Sequence, residues 1–408
     1  MGKYWKLLTI SVVIVISVGT FYITTAIAEN SYPDFKFKLE KGDIKDIQNL
    51  KLVGDYLHGM NGEGVAITSD DTVYSSELSY FSQLNNSFYT EPAIQQLQKD
   101  YRGFMRGKTW HTATISQDEE QVVYANVKGN DFTNKVKEFE IELLNKKTNN
   151  KTTFTVDIPH HEKYNYVNVE NVNLIDGKVK LVTLNYLSNQ DQTQDEIYLY
   201  QIDLKKQKVI EDKVIYSNTV QKQQNSSLYR VESGNTTSFN DYTVFMKDTF
   251  KEMKDEYGNY YEEIGKSELI AVNMQTGKVT TFTPPPELDL MRDGSTFAVS
   301  GSKLYFLQAD GKGYEVLEYD LEKAALTKKP ITQLPESDSA PVMRRQVKAE
   351  NNKLYIVIQV QSQKAPADVY VIDLKKQQTI VEGKLVSEKV TNDAGNYELY
   401  INDFYVNE

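Results

Sequence analysis

A strand-and-turn phrase occurs five times in this chain, and repetition at such a spacing constrains the architecture before any single residue is interpreted. The clearest copies are Tyr198-Leu199-Tyr200-Gln201-Ile202-Asp203-Leu204 and Asp368-Val369-Tyr370-Val371-Ile372-Asp373-Leu374. Looser copies run from Lys137 to Leu143, Glu268 to Met274 and Glu315 to Leu321. Taking Glu142, Asp203, Asn273, Asp320 and Asp373 as equivalent, the steps are 61, 70, 47 and 53 residues. Steps of that size hold several strands and their loops.

Each phrase has a physical reading. Alternating large apolar residues make a strand, the Asp or Asn near its end accepts hydrogen bonds from turn amides, and Lys, Gln, Thr or Gly carry the reversal. A partner strand precedes every phrase: Gln121 to Ala125, Lys178 to Thr183, Tyr242 to Met246, Lys303 to Leu307 and Lys353 to Ile358. These pairs, each ending near Asp-Leu and followed by a Lys- or Gly-containing turn, resemble the inner part of blades in the β-propeller superfamily over about residues 118–388. The resemblance implies an all-β ring of four-stranded blades. Residues 31–117 and 389–408 are enough for about two more, so seven blades is the expected count, with six and an inserted helix as the alternative. Tyr397 to Ile401 alternates suitably for a terminal strand that closes the ring. A sandwich or a string of small β domains is the competing architecture. Neither the WD40 pairs nor a kelch signature is present, so no function carries over residue by residue.

The second strong signal lies at the N-terminus. Leu7 to Ala28 contains no charge, and a helix of that length spans about 33 Å, enough for a hydrocarbon core. Lys3 and Lys6 precede it, while Glu29 and Asp34 follow it. The positive-inside rule then puts residues 1–6 in the cytoplasm, 7–28 in the membrane as a signal-anchor helix, 29–44 in a linker and 45–408 in an extracytoplasmic β-propeller domain. Ala26-Ile27-Ala28 also matches a small-x-small cleavage pattern, and cleavage after Ala28 would release a secreted protein. Both readings export the rest of the chain.

Composition narrows the function classes. The chain has no Cys, which removes disulfides, thiolate metal sites and cysteine nucleophiles together and fits a bacterial cell envelope. It carries 46 basic and 57 acidic residues for a net charge of −11, so nucleic acid and other polyanions are not expected partners. Asp203, Asp320 and Asp373 read as turn residues, because each occupies the same place in its repeat. Arg344-Arg345 reads as a solvated strand edge.

Motifs for chemistry are few. Gly103 to Thr109 resembles a phosphate-binding loop but is one residue short between Gly and Gly-Lys and follows a helix. That helix has Thr90 as its expected cap, Glu91 and Pro92 in its first turn, and Ile94, Leu97 and Tyr101 on one face, packed against the propeller. His58, His111, His160 and His161 are the four histidines. The adjacent pair would point apart on extended backbone, so no metal site and no cofactor is expected, and no catalytic residue is assigned. His111 beside Trp110 suits either a polar pocket or a structural pair.

One segment departs from the repeat. Between Met246 and Leu269 the connection lengthens into a long hairpin expected to turn at Gly258-Asn259. Phe250, Met253, Tyr257, Tyr260 and Tyr261 form its aromatic and apolar set, the candidate partner-binding residues. The expected function is a membrane-anchored extracytoplasmic binding or scaffolding module, an accessory or sensory component of an envelope membrane complex with a membrane-protein partner. The alternatives are an envelope enzyme acting on glycan or peptide at the central opening, and a secreted carbohydrate-binding protein.

Overall fold

A computed structural model describes residues 5, 9–17, 19–20, 32–58, 61–79, 82, 88–108, 111–129, 136–188, 193–219, 226–231, 241–255, 260–284, 296–327, 329–335, 340–388 and 397–407. Its strands form six antiparallel sheets that follow one another along the chain. The first strand, β1 (Phe35–Lys41), is lent to the last sheet. Sheet I holds β2 (Leu50–His58), β3 (Asn61–Ile67) and β4 (Thr72–Tyr74). Sheet II holds β5 (Ile115–Gln117), β6 (Gln121–Lys128), β7 (Glu138–Asn145) and β8 (Lys151–Asp157). Sheet III holds β9 (Tyr166–Ile175), β10 (Lys178–Ser188), β11 (Thr193–Asp203) and β12 (Lys208–Thr219). Sheet IV holds β13 (Ser226–Arg230), β14 (Tyr242–Lys254), β15 (Tyr260–Asn273) and β16 (Val279–Phe282). Sheet V holds β17 (Phe297–Ser300), β18 (Lys303–Ala309), β19 (Gly313–Asp320) and β20 (Ala325–Leu326), with β21 (Thr332–Pro335) also on β19. Sheet VI holds β22 (Val342–Glu350), β23 (Lys353–Val360), β24 (Ala367–Asp373) and β25 (Gln378–Ser387), and β1 adds a fifth strand on β25. The last strand, β26 (Tyr397–Val406), returns to sheet I and pairs with β2.

All five sequence phrases are third strands, and all five upstream partners are second strands. Consecutive sheets of this kind are the β-propeller organisation. Apolar side chains fill the junctions between them: Phe139 and Ile141 against Val179 and Tyr200, Leu184 and Ile197 against Phe245 and Ile270, and Val244 and Leu269 against Phe297 and Phe306. Val316 and Tyr314 then meet Ile356 and Tyr370, and Val369 and Val371 meet Leu52 and Phe404. At the junction of sheets I and II, two helices intervene. In α1 (Pro92–Asp100) and α2 (Arg102–Met105), Ile94, Leu97, Phe104 and Met105 pack on Ile115, Val122, Tyr124 and Leu144 of sheet II. Phe88, just before them, packs on Val53, Ala66 and Tyr405 of sheet I.

The turn after each third strand repeats one geometry. Asp203, Asn273, Asp320 and Asp373 each accept, through Oδ1, the backbone N–H of residues two and three positions later, at 2.8–3.0 Å. Four residues on, the chain enters the left-handed region at Gln207, Gly277, Ala324 and Gln377. In sheet II the same pattern belongs to Asn145 and Asn149, not to Glu142. The equivalence of Glu142 with the turn residues is therefore wrong by three positions. Its alternating neighbours imitate the strand, but the residue that closes the turn lies further on.

Three other expectations change. Six sheets form among the described residues where seven blades were expected, because residues 31–117 and the C-terminal strand yield only one sheet, while β1 joins sheet VI and residues 92–105 are helical. Glu91, not Thr90, takes the N-cap position of α1. Arg344 is no solvated edge: its Nη1 donates to Asn402 O of β26 at 2.8 Å. Of the 7–28 segment, residues 9–17, 19 and 20 are described and helical, and Ile10, Val13, Val15 and Ile16 are exposed. Among the described residues no helix is long and apolar enough to cross a membrane.

Candidate functional site

Two places combine unusual geometry with chemistry. The first is the long hairpin. Among the described residues β13 covers β14 only up to Thr249 and β16 covers β15 only from Leu269 onward, so Phe250–Lys254 and Tyr260–Ile264 pair only with each other there, as a two-stranded ribbon of sheet IV. A bulge marks the departure. Thr249 faces Lys266 and Phe250 faces Ile264, which leaves Gly265 as the extra residue, and a Cβ there would come within 2.8 Å of the Lys251 side chain.

Register sorts the candidate partner-binding residues. Met253 stands opposite Tyr261, and both are exposed, at 39% and 48%. Because side chains alternate along a strand, Phe250 lies on the other face with Ile264, and it is only half-buried. The expected single cluster is thus divided between two faces. Tyr260 is opposite Lys254 in register, while Tyr257 and the Gly258-Asn259 turn lie outside the described residues.

The second place is a cavity of about 610 Å³ between β6 of sheet II, β9 and β10 of sheet III and β13 of sheet IV. Strand alternation builds its floor: Val167 and Val169 of β9 are buried in the junction with sheet II, which turns Tyr166, Asn168 and Glu170 to the opposite face. Tyr186 faces Tyr166 across the β9–β10 ladder with ring centroids 5.7 Å apart. From sheet IV, Arg230 reaches over and donates Nη1–H to the backbone carbonyl of Glu170. His111, preceding the short helical turn Thr112–Thr114, completes the rim.

Electrostatics in the cavity are mixed. Burial pushes the Glu170 carboxyl above the usual carboxylate range, against the opposing pull of Arg230 and of a 2.7 Å hydrogen bond from Asn168 Nδ2. Burial likewise raises the Tyr186 phenol, and the neighbouring Glu170 adds to the shift. One guanidinium, from Arg230, and two carboxyls, from Glu91 and Glu170, give a polar pocket that mixes both signs.

Sequence reasoning placed His111 as a possible pocket residue but singled out none of Tyr166, Asn168, Glu170, Tyr186 and Arg230. They belong to no motif, and the segments they come from are joined only by folding. Among the described residues no group of three or more His, Asp or Glu is placed to hold a metal ion. His160 is in a left-handed conformation at the start of a short helical turn, and His160 Nε2 lies 4.0 Å from Asp212 Oδ2.

The abandoned phosphate-loop motif has a different use. Lys108 is buried, and its ammonium meets Glu142 Oε2 at 2.8 Å, the Phe104 carbonyl, and the ring faces of Phe104 and Tyr124 at 4.2 and 5.0 Å. Lys151 approaches the same Glu142 oxygen from the more exposed side. Burial alone would raise the Glu142 carboxyl, but the hydrogen bonds and charges of the two lysines outweigh it and hold the group below its ordinary value. This cluster fastens the α2 region to sheet II.

No protein-family model matches the chain, and no curated protein matches it. Among solved structures, the chain is similar to an acylaminoacyl peptidase in complex with a chloromethyl ketone, at 12% identity over 66% of this chain and 45% of that one, with a TM-score of 0.28. It is similar to the Dos1 propeller at 13% identity over 71% of this chain and 63% of that one, TM-score 0.31. The β-propeller domain of the trilobed protease from Pyrococcus furiosus matches at 12% identity over 71% and 97%, TM-score 0.22. The chain thus spans less than two thirds of the length of the first two.

Proposed function

We propose that this chain is a membrane-tethered binding module of the cell envelope, with its β domain held outside the cytoplasm as a closed ring of six blades and its protein partner engaged by the ribbon of sheet IV. The ribbon carries the reading. Among the described residues its two strands pair only with each other, and it presents Met253 and Tyr261 together on one face and Phe250 on the other. A ribbon that extends beyond its sheet adds little to a core, whereas exposed aromatic and Met side chains are efficient contacts for another protein. The tether is supported by the uncharged segment of residues 7–28 and by the exposed apolar side chains of its helical residues 9–17. The partner is a membrane protein of the same envelope.

A photo-crosslinker in place of Tyr261, in intact cells, is expected to capture one envelope membrane protein. Met253→Ser with Tyr261→Ser is expected to abolish capture of that protein by full-length chain while leaving the melting temperature unchanged. Equal capture by the folded double variant refutes the ribbon as the docking element.

A further inference from the structure

We infer that the cavity between sheets II, III and IV, lined by Tyr166, Asn168, Glu170, Tyr186, Arg230 and His111, is a binding site for a neutral saccharide of one or two rings. The site is separate from the ribbon, which leaves sheet IV along β14 and β15, so either assignment can fail without the other.

Size is the first argument. A volume of about 610 Å³ falls in the ordinary range of small-molecule sites and is too large for a solvation defect. The lining is the second. A pyranose presents an apolar C–H face and a ring of hydroxyls that each donate and accept, so its site needs an aromatic surface beside closely spaced donors and acceptors. Tyr166 remains 40% exposed although it is tilted against Tyr186, and it lines the cavity wall. Asn168 uses its amide N–H on Glu170, which leaves the Asn168 carbonyl oxygen as an acceptor. Arg230 is anchored through one N–H on the Glu170 carbonyl, and a guanidinium has five N–H groups, so further donors point from a fixed base. Charge is the third argument. A cationic ligand would meet Arg230, an anionic one would meet Glu91 and Glu170 in a chain of net charge −11, and a neutral polyol can pair with donors and acceptors of either kind. The polar groups are preorganised, because the core residues Val167 and Val169 fix the face that β9 turns to the cavity.

The test is calorimetric titration of the full chain, purified in a sugar-free detergent, with glucose, N-acetylglucosamine and chitobiose, and with glucuronate and glucosamine as charged counterparts. Saturable binding of at least one neutral sugar is expected, weakened about tenfold by Tyr166→Ala and by Asn168→Ala and retained by Tyr166→Phe. Tyr166 and Asn168 are both exposed, so the variants are expected to melt with the parent. Failure of every neutral sugar to saturate up to about 10 mM, tighter binding of a charged counterpart, or full binding by folded Tyr166→Ala each overturns the assignment.

Discussion

Among the described glycines, Gly54 meets the closest backbone neighbour. A Cβ on Gly54 would lie 2.0 Å from the carbonyl oxygen of Tyr400 on β26, a collision with backbone that no rotamer relieves. The register shifts at this point, since Val53 faces Asp403 and Gly54 faces Ile401 with Asn402 left over. Gly54→Ala is therefore expected to destabilise the domain by roughly 3 kcal/mol or more, seen as a lower urea midpoint, because β26 must move for the methyl to fit. An unchanged midpoint would mean that the strand is seated differently. Turn aspartates give a second residue-scale prediction. Backbone amides of Lys206 and Lys376 hold Asp203 and Asp373 below the usual carboxylate range, and the Lys323 ammonium does the same for Asp320. Their folded values are depressed, so the stability they add is complete above the unfolded value of about 4 and is lost as pH falls through the folded ones. Asp203→Asn, Asp320→Asn and Asp373→Asn together keep the turn acceptor, as Asn145 and Asn273 already do, and are expected to flatten the decline of melting temperature below about pH 4. A decline as steep as that of the parent would show that these groups are not responsible.

At the scale of elements, the Lys108–Glu142–Lys151 cluster predicts an asymmetry. Glu142→Gln leaves the buried Lys108 ammonium without its counter-charge, whereas Lys108→Met leaves Glu142 still served by the more exposed Lys151. The first is expected to cost about 3 kcal/mol and the second clearly less, measured by urea unfolding. Equal losses would deny Lys151 its role. What was legible in the sequence also divides by element. Second and third strands such as β23 and β24 lie inside the sheets and are buried almost throughout, so their apolar runs announced them. First strands did not announce themselves. β5 has three residues and β17 four, too few for a period to be recognised. Glu142 was misread because Glu138 to Leu144 alternates like the turn-bearing copies, and only the backbone hydrogen bonds at Asn145 distinguish them. The ribbon was visible as an insertion, but its division into two faces depends on the bulge at Gly265. Of the cavity only His111 was named, because Glu170 and Arg230 come from different sheets and no local pattern links them.

In the whole molecule, closure is fastened by a compact set of specific polar contacts between sheet VI and β26. Gln359 of sheet VI donates to Leu399 O at 2.7 Å and accepts from Ile401 N at 3.0 Å, while Arg344 and Gln346 both donate to Asn402 O. Lys348 adds an ion pair to Asp403 at 2.7 Å. These bonds hold the inner edge of β26 to the neighbouring sheet as its ladder holds it to β2. Deletion from Asn396 onward is expected to lower the stability of all six sheets in one cooperative transition, followed by circular dichroism and by hydrogen exchange in sheets III and IV, which are remote in sequence from the deletion. Protection there at the parental level would mean that the sheets fold independently. The placement of β26 also sets an order of events during biosynthesis. Asn402 bonds Asp55 across a separation of 347 residues, so the inner edge of β2 emerges early and must wait for nearly the whole chain before its partner exists. Throughout translation that strand is an open edge, a template for a neighbouring nascent chain. A pause late in the message, or a stop shortly before β26, would therefore be a hazard of aggregation as well as of lost activity.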